Sequence, residues 1–205
     1  MKNSNQLKKN VLLICLFTAP LLQLIGDALW ITHNYAYSWN IWREASCIFF
    51  VPVGFLLARL LERKSFIWAM IACALFVTGC FGVATMMPLF RLGAFYPIHE
   101  AHEFPEIVTT VLDKKLFAVT LFPLGLCFPL SLVVFGICFL RYKILSRLIG
   151  VSIFINGILF WLGNAGEMDK ILIVGDAFLL ITLCYVGYSI YNRRIKLVTS
   201  PQLSS

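Results

Sequence analysis

Long apolar runs separated by short polar stretches dominate the chain. A membrane-crossing helix needs about 20 mostly apolar residues, because each residue adds 1.5 Å and the hydrocarbon core is about 30 Å thick. The pattern predicts an all-α, polytopic membrane protein, a six-transmembrane-helix bundle. The predicted spans are about residues 11–31, 41–61, 66–90, 116–140, 144–163 and 171–191.

Polar segments flank and connect these spans. Residues 1–10 and 192–205 are predicted to be cytoplasmic tails on either side of one membrane domain, 11–191. The first apolar run lacks a small-x-small cleavage site, so we expect an uncleaved first span. In the long loop after the third span, Pro105 to Lys115 has a helical period, and this predicts a short amphipathic helix on the membrane surface.

Composition supports a membrane protein and argues against nucleic acid as a partner. The chain is 60% hydrophobic and 13% charged, with a net charge of +7 but no polybasic tract. Twelve of the 17 Lys and Arg residues lie in residues 1–10, 59–64, 141–147 and 192–205. Because short cytoplasmic loops carry excess positive charge, both termini are predicted to be cytoplasmic.

Small residues inside the spans are interpreted as packing residues. All seven cysteines lie in apolar runs and none forms a CxxC pair, so they resemble neither a disulfide framework nor a zinc site. Two small-xxx-small pairs, Gly54 with Ala58 and Thr78 with Gly82, predict close helix packing.

Charged residues within spans indicate a candidate site. Asp27 and Asp176 are predicted to lie roughly 6–8 Å below the outer boundary, and Arg43 and Glu44 enter at a similar depth. Because ionisable groups in lipid face the bundle interior and find partners, we expect these four to form one polar cluster, with Asn156 and Asn164 as neighbours. The cluster is either a binding or proton-handling site or a clasp that holds spans one, two and six together.

The outer loops contain all three histidines, which suggest a second candidate site. His99 and His102 are three residues apart, Glu103 follows, and His33 lies on a neighbouring outer loop. Imidazole and carboxylate groups are suitable ligands for zinc or iron, and a metal with an open coordination position would bind and activate water. Pro97 and Pro105 leave little room for a regular helix, however, so a solvated polar loop is the alternative.

A recurrent pattern in the C-terminal half resembles a known class of proteins. It comprises Pro123-Leu124-Gly125, Phe135-Gly136, Leu140-Arg141-Tyr142-Lys143, Arg147, Gly150, Gly157, Gly187-Tyr188 and Arg193-Arg194. The pattern resembles bacterial six-helix integral membrane proteins of unknown function. This resemblance covers spans four to six and implies a bacterial cytoplasmic membrane and the architecture, but no activity.

Together these features favour a non-enzymatic membrane protein without a cofactor. It would present an outward-facing polar pocket, lined by Asp27, Arg43, Glu44 and Asp176, to a small solute, an ion or a membrane partner. Besides the lipid bilayer, the candidate partners are another membrane protein and a second copy of the chain. The alternative is a membrane-embedded metal-dependent hydrolase or transferase, with Glu103 or Asp27 as general acid or base.

Overall fold

The computed structural model describes residues 2–32, 38–95, 122–165 and 168–192. Within these ranges the chain forms six α-helices and no strand. The helices are α1 (Lys2–Ile31), α2 (Ser38–Glu62), α3 (Phe66–Phe95), α4 (Phe122–Tyr142), α5 (Arg147–Ala165) and α6 (Asp169–Tyr191).

Five of these helices are long and apolar enough to cross a membrane, which confirms an all-α, multi-pass membrane protein. Their candidate spans are Asn10–Leu29, Ile41–Glu62, Phe66–Thr85, Pro123–Tyr142 and Lys170–Tyr191. In α5 the apolar segment, Arg147–Gly163, is shorter. The amphipathic helix predicted after Pro105 lies outside the described residues.

Some helix boundaries differ from the predicted spans. Helix α1 begins at Lys2 rather than near residue 11, so it extends beyond the apolar run into the polar N-terminal segment. Pro123 lies in the first turn of the described helix, where proline's missing N–H has little effect. Pro129 lies inside α4.

The helices form a closed antiparallel ring. Each packs against its neighbours in sequence, α6 closes against α1, and α2 also touches α4 across the middle. The short turns at 63–65 and 143–146 lie at the end where α1 begins and α6 ends, which we call the tail end. The opposite end, where α1 ends and α2 and α6 begin, is the loop end.

Backbone and side-chain hydrogen bonds form the two tail-end turns. After α2, the N–H groups of Lys64 and Ser65 donate to Leu61 O at 2.9 and 3.0 Å. After α4, Lys143 adopts the left-handed conformation (φ 51°) and Ile144 N–H donates to Phe139 O at 3.3 Å, the Schellman arrangement that ends a helix. Ser146 then starts α5 by accepting from Ile149 N–H at 3.4 Å.

Glycines allow α3, α4 and α5 to approach closely. A Cβ at Gly79 would lie 2.2 Å from Phe128 N, and one at Gly136 would lie 2.6 Å from Phe154 N. Gly82 packs against the backbone at Leu124 in the same way. The contact at Gly82 agrees with the close packing predicted for Thr78 and Gly82, whereas Gly79 and Gly136 were not among the predicted pairs.

Phenylalanines fill the centre of the ring around Phe128 of α4. Its ring centroid lies 5.2 Å from Phe50, 5.0 Å from Phe76 and 5.7 Å from Phe160. All four side chains are buried, so α2, α3, α4 and α5 meet in one aromatic core.

Large apolar side chains also cover the outer faces of the helices. Ile48 is 72% exposed, Ile67 69% and Leu148 76%. In water such a surface would drive aggregation, whereas in a bilayer it contacts acyl chains.

The glycine contacts predict a selective effect of adding one methyl group. We expect Gly79→Ala to lower the unfolding free energy by about 1–3 kcal/mol, because the new Cβ collides with the α4 backbone. At Gly187 the nearest atom to a new Cβ is 3.5 Å away, so Gly187→Ala serves as the matched control and should be neutral or slightly stabilising. Thermal melting in detergent compares the two variants, and equal effects would contradict the close approach.

Candidate functional site

Asp27 lies on the buried face of α1, near the loop end. The buried residues of this helix include Cys15, Leu16, Ala19 and Asp27, and their spacing places them on one face of the helix. Asp27 is 0% exposed and precedes the end of α1 by four residues, roughly 6 Å along the axis. Its carboxyl therefore faces the neighbouring helices and not lipid.

Arg43 of α2 provides the positive partner of Asp27. It precedes the buried residues Ser46 and Cys47 by one turn, so it points to the same side of α2. Its Nε forms an ion pair with Asp27 Oδ1. Ser46 Oγ donates to the Arg43 carbonyl at 2.7 Å, a bond within the same turn. This ion pair joins the last turns of α1 to the first turns of α2.

Asp176 is the buried acid of α6. It belongs to a stripe of buried residues with Leu172, Leu179 and Leu183, and it is 1% exposed. It lies seven residues after the start of α6, roughly 10 Å from the loop end. The carboxyl lies beside Asp27 and Gln23 of α1, with Arg43 nearby. Neither of its oxygens has a hydrogen-bond partner of good geometry among the described residues.

The charges of these three residues do not balance. Asp27 and Arg43 neutralise each other as an ion pair. Asp176 adds a second carboxyl beside them, and the interior around it is apolar. A buried carboxylate that shares its nearest cation with a second carboxylate is costly, so this position suits a proton or one additional positive charge.

Glu44 lies at the edge of this cluster. It follows Arg43 in α2 and is half-buried, with its Oε1 buried. Consecutive helical residues diverge by about 100°, so Glu44 and Arg43 face different directions. The structure thus brings Asp27, Arg43 and Asp176 together, with Glu44 to one side.

Asn156 makes its contacts deeper in the bundle. Its Nδ2 donates to Ser152 O at 2.9 Å and to Thr182 Oγ1 at 3.4 Å. Thr182 lies six residues after Asp176, roughly 9 Å further along α6. Asn156 therefore links α5 to α6 below the carboxyls. Asn164 belongs to the last turn of α5, and its side chain lies outside the described part.

The candidate metal ligands His33, His99, His102 and Glu103 all lie outside the described residues. Among the residues that are described, no group of three or more His, Cys, Asp or Glu could hold a metal ion. The metal-dependent enzyme therefore remains a prediction from the sequence.

Two polar residues were not predicted: Gln23 lies at the site, and Thr182 lies deeper in the bundle against Asn156. Gln23 precedes Asp27 by four residues on the same face of α1 and lies beside Asp176. Thr182 accepts from Asn156 and donates to Phe178 O at 2.8 Å. The i, i+4 spacing of Gln23 and Asp27 could have identified the first, whereas Thr182 resembles any helix threonine in the sequence.

Neutralising Asp27 is expected to lower the unfolding free energy more than neutralising Asp176. Asp27→Asn leaves the Arg43 guanidinium without its ion-pair partner and should cost about 3 kcal/mol. Asp176→Asn keeps the shape and leaves the ion pair of Asp27 with Arg43 in place, so the unfolding free energy should change by less than about 1 kcal/mol. Thermal melting of both purified variants distinguishes them. Equal losses would mean that both carboxyls hold the helices together.

Comparison with known proteins gives no match. No protein family matches the chain, and neither a curated protein nor a solved structure is similar to it. Its function is therefore inferred from its own residues.

Proposed function

We propose that this protein binds a small, singly charged cation or cationic solute at the polar site formed by Asp27, Arg43 and Asp176. The observation that carries the proposal is Asp176, a fully buried carboxyl beside an existing ion pair. One further positive charge would balance the site, and Gln23 would offer an amide oxygen to it. The chain is then a binding protein and not an enzyme.

The position of the site within the bundle supports access from one side of the membrane. Asp27, Arg43 and Asp176 all lie within about 10 Å of the loop end by helical rise. The tail end is flanked by 12 of the 17 basic residues, which by the positive-inside rule makes it cytoplasmic. The polar site then faces outward, on the side where the 95–115 loop is predicted to lie.

We further propose that all six helices cross the membrane, including α5. Helix α5 has 19 residues and rises roughly 28 Å, close to the thickness of a bilayer core. It packs between α4 and α6 in the antiparallel ring, which favours a crossing of its own. An even number of spans puts both termini on the same side of the membrane, and the basic residues at the tail end favour the cytoplasm. The resemblance of spans four to six favours a bacterial cytoplasmic membrane.

A cation titration tests the binding function. Protein in nanodiscs is melted in rising lithium, sodium, potassium or methylammonium chloride, with choline chloride keeping the ionic strength constant. At a concentration 100 times the dissociation constant, a bound cation should stabilise the fold by about 2.7 kcal/mol. We expect Asp176→Asn to lose this stabilisation.

The matched control for this titration is Glu62→Gln, which removes an exposed acid at the tail end. It should respond as the unmodified protein does. If none of the four cations changes the melting temperature, or if Asp176→Asn responds equally, the proposed binding function is wrong and the cluster is a clasp.

Orientation has its own test. A cysteine introduced at Ala101, in the loop predicted to be outside, should react in intact cells with a membrane-impermeant maleimide. A cysteine replacing exposed Lys143 in the tail-end turn is the control and should react only after the membrane is opened. The reverse pattern would overturn the outward-facing site.

A further inference from the structure

The two buried carboxyls lie side by side and share one guanidinium. Asp27 of α1 is 0% exposed, Asp176 of α6 is 1% exposed, and the two side chains lie next to each other. Arg43 forms the ion pair with Asp27 and is also near Asp176. Two neighbouring carboxylates away from water repel each other strongly, and such a pair commonly keeps one proton between them. Without a bound cation, one shared proton therefore balances the charge of the three side chains.

Helix α6 packs against α1 and α5, and both helices bear on the charge at Asp176. In α1, Asp27 is the ionisable group beside it, whereas Gln23 is uncharged. Among the described side chains of α5, the ionisable group is Arg147, which begins that helix at the tail end. Since Asp176 lies roughly 10 Å from the loop end, Arg147 belongs to the opposite end of the bundle.

Charged groups of α2 and of α6 itself complete these surroundings. Arg43 supplies the positive charge, and Glu44 lies at the edge of the cluster, on a different side of α2. Lys170 of α6 is exposed and precedes Asp176 by six residues, roughly 9 Å along the axis. Among the described residues, the immediate surroundings of Asp176 therefore contain one other carboxyl and one guanidinium.

We propose that a cation and a proton exchange at this site, so that each bound cation displaces the proton shared by Asp27 and Asp176. This inference rests on the cation-binding function proposed above and adds its regulation by pH. In the exchange the carboxyl O–H bond breaks, the proton leaves to water at the loop end, and the cation takes its place beside the two carboxylates. One positive charge replaces another, so the net charge of the site stays at zero.

Exchange makes the cation affinity depend on pH. A lower pH favours the protonated site and so weakens cation binding, whereas a higher pH removes the competing proton. If one proton leaves for each cation that binds, the apparent dissociation constant rises about tenfold for each pH unit lowered, over the range in which the empty site holds the proton. Binding without exchange leaves the affinity independent of pH in this range.

Direct measurement of protons tests the exchange. The protein in weakly buffered nanodiscs receives lithium, sodium, potassium or methylammonium chloride, with choline chloride as the blank, and a pH-indicator dye reports the protons released. We expect up to one proton for each cation bound. The melting titration is then repeated at two pH values, and about pH 6 should require roughly 100-fold more cation than about pH 8.

Infrared difference spectroscopy locates the proton. The C=O stretching band of a protonated carboxylic acid should disappear when the cation binds to the unmodified protein. Asp176→Asn removes one of the two carboxyls that share the proton, so this variant should lose both the band change and the proton release. Glu62→Gln alters an exposed acid at the tail end and should retain both.

The outcomes separate the exchange from the binding function. Stabilisation by a cation, together with proton release and weaker binding at the lower pH, supports both. Equal stabilisation at the two pH values without proton release overturns the exchange and leaves cation binding intact. If none of the four cations stabilises the protein at either pH, the binding function is wrong and the exchange fails with it. Proton release retained in Asp176→Asn would place the proton on another group and overturn the exchange at this site.

Discussion

The ion pair between Asp27 and Arg43 is the interaction on which the polar interior of this protein depends. A carboxylate buried in an apolar bundle costs several kcal/mol unless a cation accompanies it. Arg43 supplies that cation from the first turns of α2 and so fixes them against the end of α1. The second acid, Asp176 of α6, is buried beside this pair in an otherwise apolar interior.

The helices are held together in two different ways. Apolar side chains gain little by leaving lipid for a helix interface, so association depends on close packing and polar contacts. In α3, α4 and α5, glycines such as Gly79 and Gly136 bring the backbones together around the Phe128 core. In α1, α2 and α6, polar side chains meet near the loop end in addition to apolar packing. Polar chemistry is therefore concentrated on the side of the ring where the chain begins and ends.

Much of the architecture could be predicted from the sequence because the bilayer imposes a simple length requirement. Apolar runs near 20 residues predicted the helices, and proposals for their orientation follow from where Lys and Arg occur. Glycines within spans indicated close packing. The depth of Asp27, Arg43 and Asp176 could be estimated as well, since helical rise is constant. Length, depth and side of the membrane are one-dimensional properties, which a sequence carries directly.

The pairing of side chains depended on the tertiary structure. Depth alone did not tell whether Arg43 would pair with Asp27 or with Asp176, nor that Gln23 would lie beside Asp176. Depth along the helices also did not show that Asn156 lies apart from the polar site, where it donates a hydrogen bond to Thr182 further inside the bundle. The reason is rotational: one or two charged residues in a mostly apolar helix indicate which face is turned inward, but they do not fix the exact rotation of the helix about its axis. Packing against neighbours sets that rotation, and with it which polar groups meet.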